Sequence, residues 1–450
     1  MVDLPRKTRV GLISLGCPKN LVDSEVMLGL LRDGGYELVN DEKKADVMIV
    51  NTCSFIEDAE QESIGTILNV ARLKKAGTLK KLIVTGCLPQ RYKADLENDL
   101  PEVDHFIGTG EFQRIAEFTK LKDELPVVRS LVDKPEFVYD YATPRISTLP
   151  PHTSYVKIAE GCSRPCAFCI IPRLRGRGRS RPISSIVEEV RRLASSGALE
   201  VNLIAQDLTA YGRDREDGAT LEALLHELVA VDGIRWIRLM YNYPEFFTDG
   251  LIDLIATSEK ICKYLDLPLQ HIDDGILQAM KRKIGETETR ELISKLKSRI
   301  PNLTLRTTML VGFPGETDAQ FEKLLSYVEE TRFDRLGVFT YSHEEGTVAA
   351  SLPDPVAPEV MAERKERVML TQQKISLEKN AALVGKTLPV LIDRAFHRAG
   401  GYSHVGRTEG HAIDIDGTVY VRGKNFEVGR IVPVKIEKGT EYDLFSESSI

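Results

Sequence analysis

The sequence predicts an α/β protein in three parts: an N-terminal open parallel α/β sheet, a central partial (β/α)6 TIM-like barrel and a small C-terminal antiparallel β-barrel. Three observations predict it. Strand-like apolar runs alternate with amphipathic helical segments from "RVGLISLGC" to "RLGVFTYS". A proline-rich stretch over 141–153 interrupts that alternation, and beyond residue 380 it gives way to short strands separated by glycines. Length agrees, since 450 residues make about three domains at roughly 100 to 200 residues each.

In the first part, residues 8–124, the runs "RVGLISLGC", "ADVMIVNTC", "KKLIVTGC" and "VDHFIGTGE" read as parallel strands joined by charged helices. The first three end in Cys17, Cys53 and Cys87. Parallel strands share a carboxyl edge, where ligands bind, so the three thiols are expected to meet in space. Any one of these cysteines alone reads as a small buried hydrophobe. Their common place at three strand ends is what argues for a ligand trio.

Residues 141–153, "YATPRISTLPPHT", form an extended linker. The central part, 148–379, holds six strand-like runs: "SYVKIAEG", "EVNLIAQD", "WIRLMYN", "KYLDLPLQH", "LTLRTTMLVGFPGE" and "RLGVFTYS". Its working face is expected at the strands' carboxyl ends. Directly after the first strand comes "EGCSRPCAFCIIPRLRGRGRS", which sets Cys162, Cys166 and Cys169 in a C-x3-C-x2-C spacing. Structural zinc asks for four ligands, and the nearest further candidate, His152, lies in the linker. A four-iron cluster also takes four, but one iron left without a protein ligand is a place for substrate to bind. Spacing alone leaves both open.

The run that follows carries Arg173, Arg175, Arg177, Arg179 and Arg181. It is either a solvated loop or a set of bidentate contacts to a carboxylate. Gln206 and Asp207, Asn242, Gln270 and His271, and Gly312 and Gly315 in "VGFPGET" fall at later strand ends. They are candidate ligand contacts, or helix caps and turn residues. Cys262 reads as core. The last part, 380–450, holds nine Lys/Arg and nine Asp/Glu from residue 381 onward, so it is formally neutral and lacks the basic excess of a domain that grips nucleic-acid phosphates.

The chain's net charge of -7 argues against broad attachment to nucleic acid. An odd seven cysteines argue against a disulfide framework. No run reaches the ~18 apolar residues of a membrane span and no signal peptide opens the chain, so a cytoplasmic protein with no membrane attachment is expected.

Taken together, "LGCPKNLVDSE", "NTCSFIEDAEQESI" and "VTGCLPQRY" resemble the N-terminal domain of the radical S-adenosylmethionine (SAM) methylthiotransferases, and "YVKIAEGCSRPCAFCIIPRLRGRGRSRP" resembles their radical SAM core. The terminal barrel is similar to their TRAM domain, so the resemblance spans essentially the whole chain. It implies two [4Fe-4S] clusters, one on Cys17, Cys53 and Cys87 and the other, which binds SAM, on Cys162, Cys166 and Cys169. One SAM is expected to give a radical that takes hydrogen from carbon and another a methyl group to cluster-bound sulfur, so that C–H becomes C–SCH3. Phe168, Gln206, Gln270 and Gly312 are candidate cofactor contacts, and Arg173, Arg175 and His271 candidate substrate contacts.

Within the family, "SLGCPKN", "PPHTSYVKIAEGC" and "PLQH" resemble the branch that modifies the β-carbon of an aspartate in the S-twelve protein of the small ribosomal subunit. The alternative branch modifies an adenosine of tRNA. Asp273 departs from the small polar residue common at that place. A reductant such as flavodoxin or ferredoxin and a sulfur donor are the further partners implied. A reading from another class, a metal-stabilised RNA-binding adaptor, would put structural metal in both trios.

Overall fold

The computed structural model describes residues 6–121, 128–398, 401–423 and 426–446. The expected domain ends at 124 and 450 lie outside the described residues. The chain divides into two compact units, one of Met1–Thr148, Lys157–Arg164 and Cys169–Arg181, the other of Leu149–Val156, Pro165–Phe168 and Pro182–Ile450.

The first unit is built on a six-stranded parallel sheet of β1 (Arg9–Ser14), β2 (Glu37–Leu38), β3 (Val47–Thr52), β4 (Lys81–Gly86), β5 (His105–Ile107) and β6 (Ser130–Leu131), in the order β2-β1-β3-β4-β5-β6. Every residue of β3 and β4 is buried, which is why both read as unbroken apolar runs and not as alternation. Helices α1 (Pro18–Asp33), α2 (Glu57–Lys75) and α3 (Cys87–Asp99) follow β1, β3 and β4, and α4 (Ile115–Phe118) follows β5. Ile67, Val70 and Ala71 of α2 pack on Met48, Val50, Leu82 and Val84 of the strands.

Next in the chain is β7 (Thr153–Lys157), of which residues 153–156 fall in the second unit. The first unit then takes the short hairpin β8 (Ala159–Glu160) and β9 (Arg179–Ser180), with α5 (Ile171–Arg175) between its strands. After α6 (Ile183–Ser195) come β10 (Glu200–Ile204), α7 (Leu221–Val229), β11 (Trp236–Leu239), α8 (Asp249–Thr257) and β12 (Ile261–Asp266). Next are α9 (Asp274–Ala279), α10 (Glu286–Arg299), β13 (Thr304–Val311), α11 (Asp318–Thr331) and β14 (Arg335–Thr340). The six strands lie in the order β14-β13-β12-β11-β10-β7, the run of neighbours expected of an open six-stranded partial barrel.

Helix α12 (Pro358–Ala381) leads to a closed barrel of β15 (Thr387–Arg398), β16 (Tyr402–Arg407), β17 (Val419–Arg422), β18 (Ile431–Gly439) and β19 (Leu444–Ser446), filled by Val390, Ile392, Val419, Val421, Val434, Ile436 and Leu444. A buried charge triad joins it to the sheet. Glu200 at the start of β10 takes Arg238 of β11 at 3.0 Å and Arg407 of β16 at 2.7 Å. Cys262 is core, as expected.

Candidate functional site

The three N-terminal cysteines stand where β1, β3 and β4 hand over to their helices. Cys17 is the N-cap of α1, Cys53 follows β3 directly, and Cys87 is the first residue of α3. Asn20 clamps this edge: its side-chain amide donates to the carbonyls of Leu15 at 2.9 Å and Thr52 at 2.8 Å. Ser63 of α2 holds Cys53 at both ends of its peptide, accepting from its N–H at 3.1 Å and donating to its carbonyl at 2.8 Å. Gly16 is left-handed (φ 86°), and a β-carbon there would stand 2.7 Å from Cys53 Cβ and 3.0 Å from its sulfur. Only glycine lets the "LGC" loop approach so closely.

The thiols feel one another. Burial pushes the Cys53 thiol up to about 12, and Cys87 and Cys17 add to that rise. Burial also raises Cys87, while the Arg175 guanidinium, 3.8 Å from its sulfur, opposes the shift. Arg175 ends α5, the helix that begins two residues after Cys169, and Cys87 packs against Ile170 and Leu174 of the same segment. Arg175 is 2% exposed. It donates to Asp23 at 2.6 Å and to Glu160 at 3.3 Å, and it meets the Asn20 side-chain oxygen. Lys157, equally buried, pairs with Asp23 and, at 2.5 Å, with Glu160. Neither a solvated loop nor a surface available to substrate describes Arg175, because it is buried and both its terminal guanidinium nitrogens are hydrogen-bonded inside this unit.

The other arginines of the run divide. Arg181 is buried, donating to the Lys157 carbonyl at 2.9 Å with its guanidinium 4.3 Å over the Tyr139 ring. Arg173 and Arg177 are exposed and, with Arg179, Lys93 and Gln90, line an open cleft of about 1080 Å³.

Cys162 and Cys169 belong to the first unit and Cys166 to the second. All three are partly exposed. Cys162 Sγ accepts from the Arg164 N–H at 3.4 Å, and Cys166 Sγ from Arg282 at 3.7 Å. Ala167 is tied to the Met280 carbonyl at 2.9 Å and by its own carbonyl to the Ala349 N–H at 2.8 Å. Phe168 packs beside it on Ile276, Met280, Leu310 and Phe313. Among the described residues no group of three or more His, Cys, Asp or Glu side chains is arranged to hold a single metal ion.

Three successive strand ends of the second unit carry left-handed backbone: Tyr241 (φ 61°) after β11, Gln270 (φ 77°) after β12 and Gly312 (φ 75°) after β13. For Tyr and Gln this conformation stores strain, a property that clusters at functional sites. Gln270 remains hydrogen-bonded on both sides, its N–H to Thr308 at 2.9 Å and its carbonyl from Leu310 at 2.7 Å. His271 is wholly buried, accepts the Asp273 N–H on Nδ1 at 3.0 Å, and leaves Nε2 without a hydrogen-bond partner. Asn242 Oδ1 is likewise buried and unpartnered. Asp207 holds its own turn, accepting from Thr209 and Ala210. A β-carbon on Gly312 would meet Met361 of α12 at 2.1 Å, so this glycine serves packing against that helix. Asp273 caps α9 and takes Lys323 at 3.2 Å and Gln320 at 2.9 Å.

Sequence reasoning missed Asn20, Asp23, Lys157 and Glu160. A signal existed: Lys157 and Glu160 interrupt the apolar run "YVKIAEG", and charge inside a parallel strand asks for a buried partner.

Comparison with known proteins agrees with this geometry. Residues 9–108 match the family model described as uncharacterized protein family UPF0004, 156–328 the radical SAM superfamily and 384–448 the TRAM domain. Among solved structures, the radical SAM methyltransferase TsrM from Kitasatospora setae aligns with a TM-score of 0.56 at 16% identity, covering 74% of this chain and 75% of that one. The protein is a radical SAM enzyme in fold, a class that takes SAM and a [4Fe-4S] cluster. At 52% identity over 99% of this chain and 98% of the relative, it matches the ribosomal protein uS12 methylthiotransferase RimO of Syntrophotalea carbinolica, and at 51% over 98% of each that of Geotalea uraniireducens. The chain belongs to the RimO family of radical SAM methylthiotransferases.

Proposed function

We propose that this enzyme methylthiolates the β-carbon of an aspartate in ribosomal protein uS12, the S-twelve protein, with SAM and two [4Fe-4S] clusters. The observation that carries the reading is the full-length identity of about half to proteins named for that reaction. The donor sets fit the cofactors. Cys53 and Cys87 are buried thiols raised by burial and by the neighbouring sulfurs, with partly exposed Cys17 beside them and a guanidinium at Cys87, an arrangement that suits a thiolate-bound cluster, since bound metal replaces the thiol protons. Asp23, the carboxylate acting on Cys87, is committed to Lys157 and Arg175 and so makes no fourth ligand. A four-iron cluster takes each thiolate on a different iron and asks for wider spacing than one tetrahedral ion does.

Cys162, Cys166 and Cys169 hold the SAM-binding cluster in this reading, and the unpartnered Asn242 and His271 atoms provide polar contacts for SAM or substrate. When bound, these groups supply one-electron cleavage of SAM and a methylated sulfur for insertion at an unactivated C–H bond. The chain's own part is to hold each thiolate in place: Asn20, Ser63 and Arg175 fix the first trio, and the Ala167 backbone bonds fix the second loop. A low-potential electron donor such as flavodoxin or ferredoxin and a separate sulfur donor complete the reaction, in the cytoplasm. Among the described residues no helix is long and apolar enough to cross a membrane.

Anaerobic incubation with SAM, reductant and sulfide, offering a uS12 peptide and a tRNA anticodon stem together, tests the substrate. The peptide gains one methylthio group at aspartate and the RNA stays unmodified. Methylthiolated adenosine with untouched peptide would replace this reading with the tRNA branch.

A further inference from the structure

In each cysteine trio a sulfur accepts an N–H from an arginine guanidinium. Arg175 reaches Cys87 at 3.8 Å and Arg282, in the turn after α9, reaches Cys166 at 3.7 Å. The two arginines come from different segments and lie in different units, so the feature arises twice independently.

Their surroundings differ in charge. Arg175 is compensated: Asp23 and Glu160 contact it, and Lys157 shares both carboxylates. The two carboxylates offset part of its charge, and what remains acts on Cys87 through charge and hydrogen bond together. Arg282 has no such partners. One of its amino groups donates to the Pro268 carbonyl at 2.7 Å, its plane lies 4.1 Å from the Tyr243 ring centre, and its Nε is buried without a hydrogen-bond partner. No carboxylate pairs with it among the described residues.

An iron–sulfur cluster becomes more negative when reduced, so donors and positive charge at its thiolates favour the reduced form and raise its potential. The effect of a charge grows as the local dielectric falls and shrinks when a counter-charge sits beside it. We infer that Arg175 and Arg282 are positioning residues that orient Cys87 and Cys166 and raise the reduction potentials of the clusters those cysteines hold, with Arg282 exerting the larger effect. The inference rests on the two-cluster reading above.

Potentiometric titration followed by electron paramagnetic resonance tests it on the full chain, reconstituted anaerobically. Arg175→Gln and Arg175→Lys are read where Cys162, Cys166 and Cys169 are changed to alanine, and Arg282→Gln and Arg282→Lys where Cys17, Cys53 and Cys87 are. Each glutamine variant is expected to keep its iron and shift its midpoint negative, R282Q further than R175Q, with the lysine variants falling between glutamine and wild type. Fully loaded glutamine variants at the wild-type midpoint overturn the inference, as does a larger shift for R175Q. Where a glutamine variant fails to load, lysine decides: a loaded cluster shifted negative supports the inference, and an empty or unshifted one overturns it in favour of packing alone. Should the parent with Cys162, Cys166 and Cys169 replaced hold no cluster, the two-cluster reading fails instead, and the Arg282 comparison still stands.

Discussion

A histidine with no exposed surface loses solvation when it takes up a proton, and His271 is such a residue. Burial lowers its pKa from 6.5 to about 4, with Lys323 and Arg364 lowering it further and Asp273 opposing; Glu316 Oε2 stands 3.9 Å from Nε2. The unfolded chain therefore binds this proton first. Its contribution to stability is fully present above pH 6.5 and is lost as pH falls toward 4, by at most about 3 kcal/mol. His411, also buried and lowered, adds in the same direction. Thermal unfolding of the wild type and of His271→Asn, which keeps an acceptor for the Asp273 N–H, checks this: between pH 7.5 and 4.5 the variant's midpoint falls less. Gly312 gives a second test. Gly312→Ala forces a β-carbon into the left-handed region and against Met361, so a loss of about 2 kcal/mol is expected in denaturant unfolding. Single residues were unevenly legible in the sequence. The two cysteine trios could be singled out because Cys162, Cys166 and Cys169 have a telling spacing and Cys17, Cys53 and Cys87 a common place at strand ends. The burial of Arg175 could not, because one arginine in a run of five looks like its neighbours until the partners Asp23 and Glu160, distant in sequence, come to it.

At the scale of elements, α5 and the three strand-to-helix turns do the positioning. Five residues long, α5 starts just past Cys169 and ends on Arg175, so the segment leaving one trio forms a wall of the pocket around the other. The turn before α1 works only because residue 16 has no side chain. Gly16→Ala pushes against Cys53 Cβ and sulfur, and the reconstituted variant is expected to lose roughly half its iron while still cleaving SAM. Iron analysis beside a methionine-release assay checks it. The long elements were legible as apolar runs, since β3, β4 and the strands from β10 to β14 carry enough apolar residues to stand out from the charged helices between them. The two-residue strands β2, β6, β8 and β9 were not, because two residues define no alternation and their pairing depends on the neighbouring strand.

For the whole molecule, the family matches at 9–108, 156–328 and 384–448 fall within the three expected segments, but the compact units cut across those segments. No local pattern announces that residues 157–164 and 169–181 group with the N-terminal sheet, because that grouping rests on contacts such as Lys157 with Asp23. In the second unit the Glu200 triad is the joint between sheet and terminal barrel. Arg407 and Arg238 hold the Glu200 carboxyl down at about 2 against its burial. Its contribution is complete above the ordinary 4.5 and is lost as pH falls toward 2, so this joint gives way at a lower pH than the protonation of His271 near 4. Glu200→Gln leaves two buried arginines short of charge and is expected to cost about 3 to 5 kcal/mol in denaturant unfolding at neutral pH.

The central claim is that two separate trios of thiolates each hold a four-iron cluster and that only one of them binds SAM. Iron content and methionine release, measured together on anaerobically reconstituted chains, test it most directly. Roughly eight irons per chain are expected, falling to roughly four when Cys17, Cys53 and Cys87 are replaced by alanine, with methionine release retained. Replacing Cys162, Cys166 and Cys169 is expected to leave roughly four irons and no methionine release. Full iron after loss of the N-terminal trio would contradict the account.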